Sequence, residues 1–134
     1  MSLQLLGHIE LPGNLKPGGF DHASVHCGSG RIYVAHTAND ALEVIDCVED
    51  RYLHSIENLT GVAGALVSDE QNLVFTSNRG ENTVGIFAPD NEAGLQKLVW
   101  VLARTDLPMT RVRSFWWWRM SETQKSRIRL LSRW

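Results

Sequence analysis

Arg31–Asp46 reads R-I-Y-V-A-H-T-A-N-D-A-L-E-V-I-D, and Asn72–Ala88 reads N-L-V-F-T-S-N-R-G-E-N-T-V-G-I-F-A. The two stretches match. Ile32, Tyr33 and Val34 align with Leu73, Val74 and Phe75, a step of roughly 41 residues. Val44 and Ile45 align with Ile86 and Phe87 after one inserted residue. Each copy is a β-rich run, a polar turn and a second β-rich run, the pattern of a hairpin. A hairpin returning at about 40 residues marks a repeat architecture.

Working outward, strands are expected at Leu3–Leu11, His22–Cys27, Arg31–His36, Ala41–Asp46 and Arg51–Glu57. A second set follows at Val62–Ser68, Asn72–Ser77, Thr83–Ala88 and Leu95–Val101. Turn residues separate them: Gly28-Ser29-Gly30, Thr37–Asp40, Asp69–Gln71 and Asn78–Asn82. The expectation is an all-β fold, a partial β-propeller of about two four-stranded antiparallel blades over residues 1–98. An irregular or helical tail follows over residues 99–134. A propeller closes with about 4–8 blades. The chain is thus read as an incomplete ring, either a piece of a longer protein or a unit that self-associates through exposed blade faces. Strand alternation puts the Asp21, Asn39 and Arg79 turns at one end of the blades and the Gly28 and Asp69 turns at the other.

The 43% hydrophobic content over 134 residues suits one globular domain. No apolar run approaches the ~20 residues of a membrane helix. Met1–Leu6 lacks the basic start of a secretory signal. The default location is cytoplasmic, with a periplasmic or secreted full-length parent as the other reading. Cys27 and Cys47 make no disulfide framework and read as small, partly buried residues near strand ends. Charge is divided unevenly. Residues 1–103 hold five Lys+Arg against thirteen Asp+Glu, net −8; residues 104–134 hold eight against two, net +6. All five tryptophans lie at or after Trp100. Such a change marks a boundary.

Y-V-A-H at Tyr33–His36 and V-F-T-S-N at Val74–Asn78 resemble the Tyr-Val-Thr-Asn motif of the YVTN/YncE-like β-propeller repeats. The following A-N-D-A-L-E-V-I-D and G-E-N-T-V-G-I-F resemble that family's polar turn and third strand. The resemblance covers residues 1 to about 98 and implies an architecture more than an activity. No Trp-Asp ending and no kelch-type Gly-Gly is present, so those propeller families fit less well.

In the tail, Phe115–Met120 reads F-W-W-W-R-M. Trp and Met each have one codon, so this run is encoded TTY-TGG-TGG-TGG-(CGN or AGR)-ATG. Read from the last base of each codon, it gives Leu-Val-Val, then Ala for a CGN arginine, then Asn as one allowed choice. The residues just before permit Tyr-Asp-Pro-Gly in the same phase. The hidden string Y-D-P-G-x-x-L-L-V-V-A-N falls one repeat after Leu73–Thr76. A single-base slip near Leu98 is therefore expected, with the basic, Trp-rich tail an out-of-frame peptide. As written, Ser121–Gln124 is a capping-box pattern that opens a short basic helix. Nucleic-acid binding through the tryptophans is not the expected use of this segment.

Candidate site residues cluster at the Asp21 end. Asp21 and His22 open an innermost strand, and His22 and His26, four apart, share a strand face. Together they offer metal ligands or an acid–base set. His36 and Asn39 lie at the turn of the same end, with Asn78, Arg79 and Glu81 as their counterparts. The plain alternative is that these residues cap turns and satisfy backbone groups. No phosphate-binding, dinucleotide-binding, zinc-protease or nucleophile-elbow motif is present. No cofactor is expected; the metal readings are a divalent cation near Asp21 and His22 or ligation by Cys27 and Cys47. The expected function is a scaffold that binds a small molecule or a protein without catalysis. The competing expectation is a fragment of a lactonase-like hydrolase or metal-assisted oxidoreductase using Asp21, His22 and Asn78.

Overall fold

The computed structural model describes residues 2–99. The tail's expected slip, basic helix and nucleic-acid role lie outside the described residues. The chain forms two four-stranded antiparallel sheets, each a meander of consecutive strands. The first contains β1 (Phe20–His26), β2 (Arg31–His36), β3 (Ala41–Asp46) and β4 (Arg51–Ile56). The second contains β5 (Val62–Ser68), β6 (Leu73–Asn78), β7 (Thr83–Ala88) and β8 (Asn91–Val99). A 3₁₀ turn at Thr37–Asn39 joins β2 to β3. Among the described residues no helix is long and apolar enough to cross a membrane.

The two sheets repeat with a uniform step. Phe20 to Val62, Arg31 to Leu73 and Ala41 to Thr83 are each 42 residues. The expected alignment of Ile32–Val34 with Leu73–Phe75 is therefore one residue out of register, and no insertion follows. Ile32 corresponds to Val74, Tyr33 to Phe75, and Y-V-A-H to F-T-S-N. The ladders agree: Ala23 pairs Val34 as Ala65 pairs Thr76, and Ile32 pairs Ile45 as Val74 pairs Phe87. Left-handed backbone recurs at the same step, at Gly30 and Asn72 and again at Asp40 and Asn82. Asn and Asp tolerate this conformation where most residues do not. Bulges recur too, after Phe20 and Val62 on the innermost strands.

Leu3–Leu11 is not a strand. A strand needs a partner ladder for its N–H and C=O groups, and this segment has none among the described residues; Leu3, Leu5 and Leu6 stay exposed. β8 starts four residues before the expected Leu95, because Asn91 already pairs with Ala88. Cys27 and Cys47 are free and exposed rather than partly buried.

Side-chain alternation along each strand fixes which faces meet. Tyr33 pairs Val44 and Ala35 pairs Leu42, so these four share one face of the first sheet. They cluster with Val62, Val74 and Phe87 of the second sheet and with Ile56 and Leu59. The Tyr33 and Phe87 rings meet edge to face at 5.8 Å and 69°, a favoured aromatic geometry. Polar ties close both ends of this apolar contact. At one end Thr37 Oγ1 donates to Val62 O (2.6 Å), and Gly61 N–H donates to Asp40 Oδ1 (2.8 Å). At the other, Arg31 Nη1 donates to Pro89 O (2.7 Å) and Glu92 Oε1 (3.1 Å), and Gly28 N–H donates to Asp69 Oδ1 (3.1 Å).

Candidate functional site

Apart from His26, the residues singled out in the sequence share one end of the sheets but separate into three groups. Asp21, His22 and Arg79 come together. Asp21 sits in the β1 bulge between Phe20 and Ala23, and Arg79 opens the β6–β7 turn. The Arg79 Nη2 donates to Asp21 Oδ2 at 3.0 Å, joining the innermost strand of the first sheet to the second sheet. His22 Nδ1 lies 2.6 Å from Asp21 Oδ1 and 3.1 Å from Ala63 O. Both neighbours are acceptors, so Nδ1 carries the proton and a neutral ring has its lone pair on Nε2. These residues line a cleft of about 510 Å³. Ala65, Leu66, Phe75 and Val84 add apolar lining to the same cleft.

This geometry favours an anion over a cation. Both oxygens of Asp21 are engaged, one by a guanidinium, so a cation approaching the carboxylate would meet the Arg79 charge. Arg79 is 69% exposed and uses one of its five donors here. Such a fork suits a carboxylate or phosphate. Among the described residues no group of three or more His, Cys, Asp or Glu converges as a metal site.

His26 is not part of this group. Four residues of strand span about 13 Å, so a shared face does not bring His22 and His26 together. His26 is buried at the far end, where its Nδ1 accepts from Ser29 N–H at 3.1 Å and meets Ser29 Oγ at 2.8 Å. Its Nε2 then carries the hydrogen and faces Asp69 Oδ1 at 3.6 Å. This Ser29–His26–Asp69 row beside a second cleft, of about 480 Å³, has no counterpart in the sequence-based expectation. The signal was H-C-G-S, a histidine three residues before a turn serine. A triad needs an imidazole nitrogen free to take the hydroxyl proton. Here that nitrogen already holds the turn's backbone N–H, and the Gly28 N–H is bound to Asp69. The row clamps the β1–β2 turn.

His36 and Asn39 form the second group, against the N-terminal loop. His36 and Glu43 are fully buried. His36 Nδ1 meets Glu43 Oε1 at 2.8 Å, and its Nε2 meets Asn14 Oδ1 at 2.8 Å. Asn14 Nδ2 donates to Gly18 O, which fixes the amide with its oxygen toward His36. Glu43 also accepts from Ser55, whose hydroxyl meets Tyr52 Oη at 2.7 Å. Phe20 stacks on the imidazole at 4.0 Å. Asn39 accepts from Leu15 N–H and donates to Gly13 O. These contacts fasten a loop to a sheet and leave no open donor for a ligand.

Asn78 and Glu81 form the third group. Asn78 Nδ2 donates to Thr83 Oγ1, which donates to Glu81 Oε1, each at 2.9 Å. Lys97 pairs with Glu81 at 2.8 Å. Burial pushes the Glu81 carboxyl up, but Lys97 and Thr83 outweigh it and hold it below its ordinary value. Asn78 Oδ1 and Thr76 Oγ1 are buried without partners. Glu81 and Asn78 brace a turn behind Arg79. No protein-family model matches the chain. A search of curated proteins finds no match.

Proposed function

We propose that the chain is part of a YVTN/YncE-like propeller repeat and serves as a binding scaffold, taking a small anionic ligand at the Asp21–His22–Arg79 mouth. The Tyr33–His36 and Val74–Asn78 motifs support the family reading, as does the 42-residue step between sheets of the same strand order. The observation that carries the ligand reading is the Arg79 guanidinium, tethered by one bond to Asp21 with its other donors open to a cleft. Catalysis has no proton acceptor set here beyond His22, which is itself exposed and held by Asp21.

Calorimetric titration with succinate and with inorganic phosphate tests this. The expected result is one site per chain for one of these anions, lost in Arg79→Ala and retained in Asn39→Ala. No heat from either anion would overturn the ligand class. The metal-assisted enzyme reading predicts instead one equivalent of a divalent metal on the purified protein, lost in His22→Ala.

A further inference from the structure

The Arg79 mouth has a charge balance that turns on one imidazole. Among the described residues lining the cleft, the charged side chains are Asp21 and Arg79, which are bonded to each other and cancel. His22 is the one lining residue of a type that takes up a proton between about pH 5 and 8. A neutral His22 ring therefore leaves the mouth without net charge. A protonated ring gives it one net positive charge.

The local geometry decides where that proton goes. Among the described residues, both polar contacts of the ring are at Nδ1, to Asp21 Oδ1 at 2.6 Å and Ala63 O at 3.1 Å. These acceptors hold the Nδ1 hydrogen in either charge state, so a second proton can enter only at Nε2, on the opposite edge of the ring. The His22 side chain is 79% exposed. Uncharged, Nε2 presents a lone pair, which repels an anion; protonated, it becomes a donor. The groups facing the ring from its neighbours are few. Its own strand supplies Asp21, the β6–β7 turn supplies Arg79, and β5 supplies the Ala63 carbonyl and no charged lining residue. β2 brings His36 beside this stretch of β1, but His36 is fully buried and bonded to Glu43 and Asn14. Glu81, behind Arg79, is paired with Lys97. One carboxyl group bonds both the imidazole and the guanidinium, through contacts of 2.6 and 3.0 Å. The two rings of charge thus lie closer than the roughly 8–10 Å over which ordinary salt screens them.

We propose that protonation of His22 sets the anion affinity of this mouth, so that an anion on Arg79 and a proton on His22 Nε2 bind together. The inference rests on the anion reading of the cleft and adds its regulation. The sign follows from charge. As pH falls through the histidine range the mouth gains a positive charge and a donor, and anion binding tightens. As pH rises the donor reverts to a lone pair, and the anion is released. Linkage makes the effect reciprocal: by the factor that the proton strengthens the anion, the anion strengthens the proton. Asp21 has a double part here. It holds the ring by Nδ1, which leaves Nε2 for the second proton, and it neutralises Arg79, which makes His22 decisive.

Calorimetric titration of the full chain with sulfate tests the proposal, at constant ionic strength and at about pH 5.5 and about pH 8, the two sides of the histidine range. Sulfate keeps its charge across this range, unlike phosphate, and the lower pH stays above the ordinary carboxylate values of about 4. The wild type is expected to bind sulfate about ten-fold or more tightly at the lower pH, and to take up protons on binding, read from buffers of different ionisation heat. His22→Gln, neutral at every pH, is expected to bind with one affinity at both; far-UV circular dichroism confirms that it retains its sheets. In the wild type, sulfate is expected to move the NMR titration of the His22 ring to higher pH, which a merely structural histidine would not show. Equal affinities at the two pH values, or a pH dependence that survives in His22→Gln, overturns the inference and leaves the anion reading standing. Absence of sulfate binding at both pH values overturns the inference together with that reading.

Discussion

Asp40 shows how much a single turn residue holds. It sits in left-handed backbone at φ 52°, where an added Cβ is ordinarily strained. Its carboxylate accepts the Gly61 N–H and pairs with Lys16. The Gly61 bond, more than Lys16, holds its carboxyl below the usual range. A carboxyl lowered on folding adds stability above its unfolded value, near 3.9, and that contribution fades as pH falls through the folded value. Asp40→Asn keeps the acceptor and the backbone tolerance, as Asn82 does at the equivalent turn. It should cost no more than about 1 kcal/mol at neutral pH, given its partial exposure. Its melting temperature should converge with that of the wild type below about pH 4. Asp40→Ala loses the Gly61 bond as well and should cost roughly 1–3 kcal/mol. Melting curves across pH check both. Equal losses at every pH would show that the charge contributes nothing.

At the scale of strands, β2, β3 and β4 are joined by a buried polar chain on a face otherwise made of Ile32, Val34 and Ile45. His36 and Glu43 are fully enclosed, and Glu43 reaches Ser55. The second sheet does without it: Asn78 and Gly85 stand at the matching positions, and a side chain at Gly85 would strike Thr76 Oγ1 at 2.4 Å. Removing one member of a buried pair strands the other, at about 3–5 kcal/mol. Glu43→Ala and His36→Ala should each cost that much in urea unfolding, and the double variant should cost less than their sum by about 1–3 kcal/mol. Additive losses would show two independent contacts. Strand identity was legible because turn residues and β-branched runs alternate along the chain. The step between repeats was harder. Ile-Tyr-Val and Leu-Val-Phe match by hydrophobicity alone, which is blind to a shift of one. The ladder is not, because a slip by one turns every side chain to the other face. The Asp21–Arg79 contact was legible only as a shared end of the sheets. Its partner choice depends on the β1 bulge, which no local sequence signal announced. The Ser29 clamp on His26 was missed because same-face spacing says nothing of distance along the strand.

Across the described molecule, the two sheets share one core rather than holding one each. Phe87 is 2% exposed and packs edge-on to Tyr33, and no comparable cluster lies within either sheet alone. Separated, each sheet would expose to water the apolar residues that the other now covers, so each is expected to stabilise the other. Phe87→Ala removes the second sheet's largest contribution to that contact and should cost about 3–5 kcal/mol. That is a large part of the roughly 5–15 kcal/mol a domain has in total. At about 4–8 °C per kcal/mol for a unit of this size, the melting temperature should fall by more than about 12 °C. A shared core predicts more than a lower midpoint. Amides of β2 in the first sheet, far from Phe87 in sequence, should lose hydrogen-exchange protection to the same extent as those of β7. Variant and wild type should each melt in a single transition. If β7 amides lose protection while those of β2 keep theirs, the sheets fold separately, and the contact between them holds neither together.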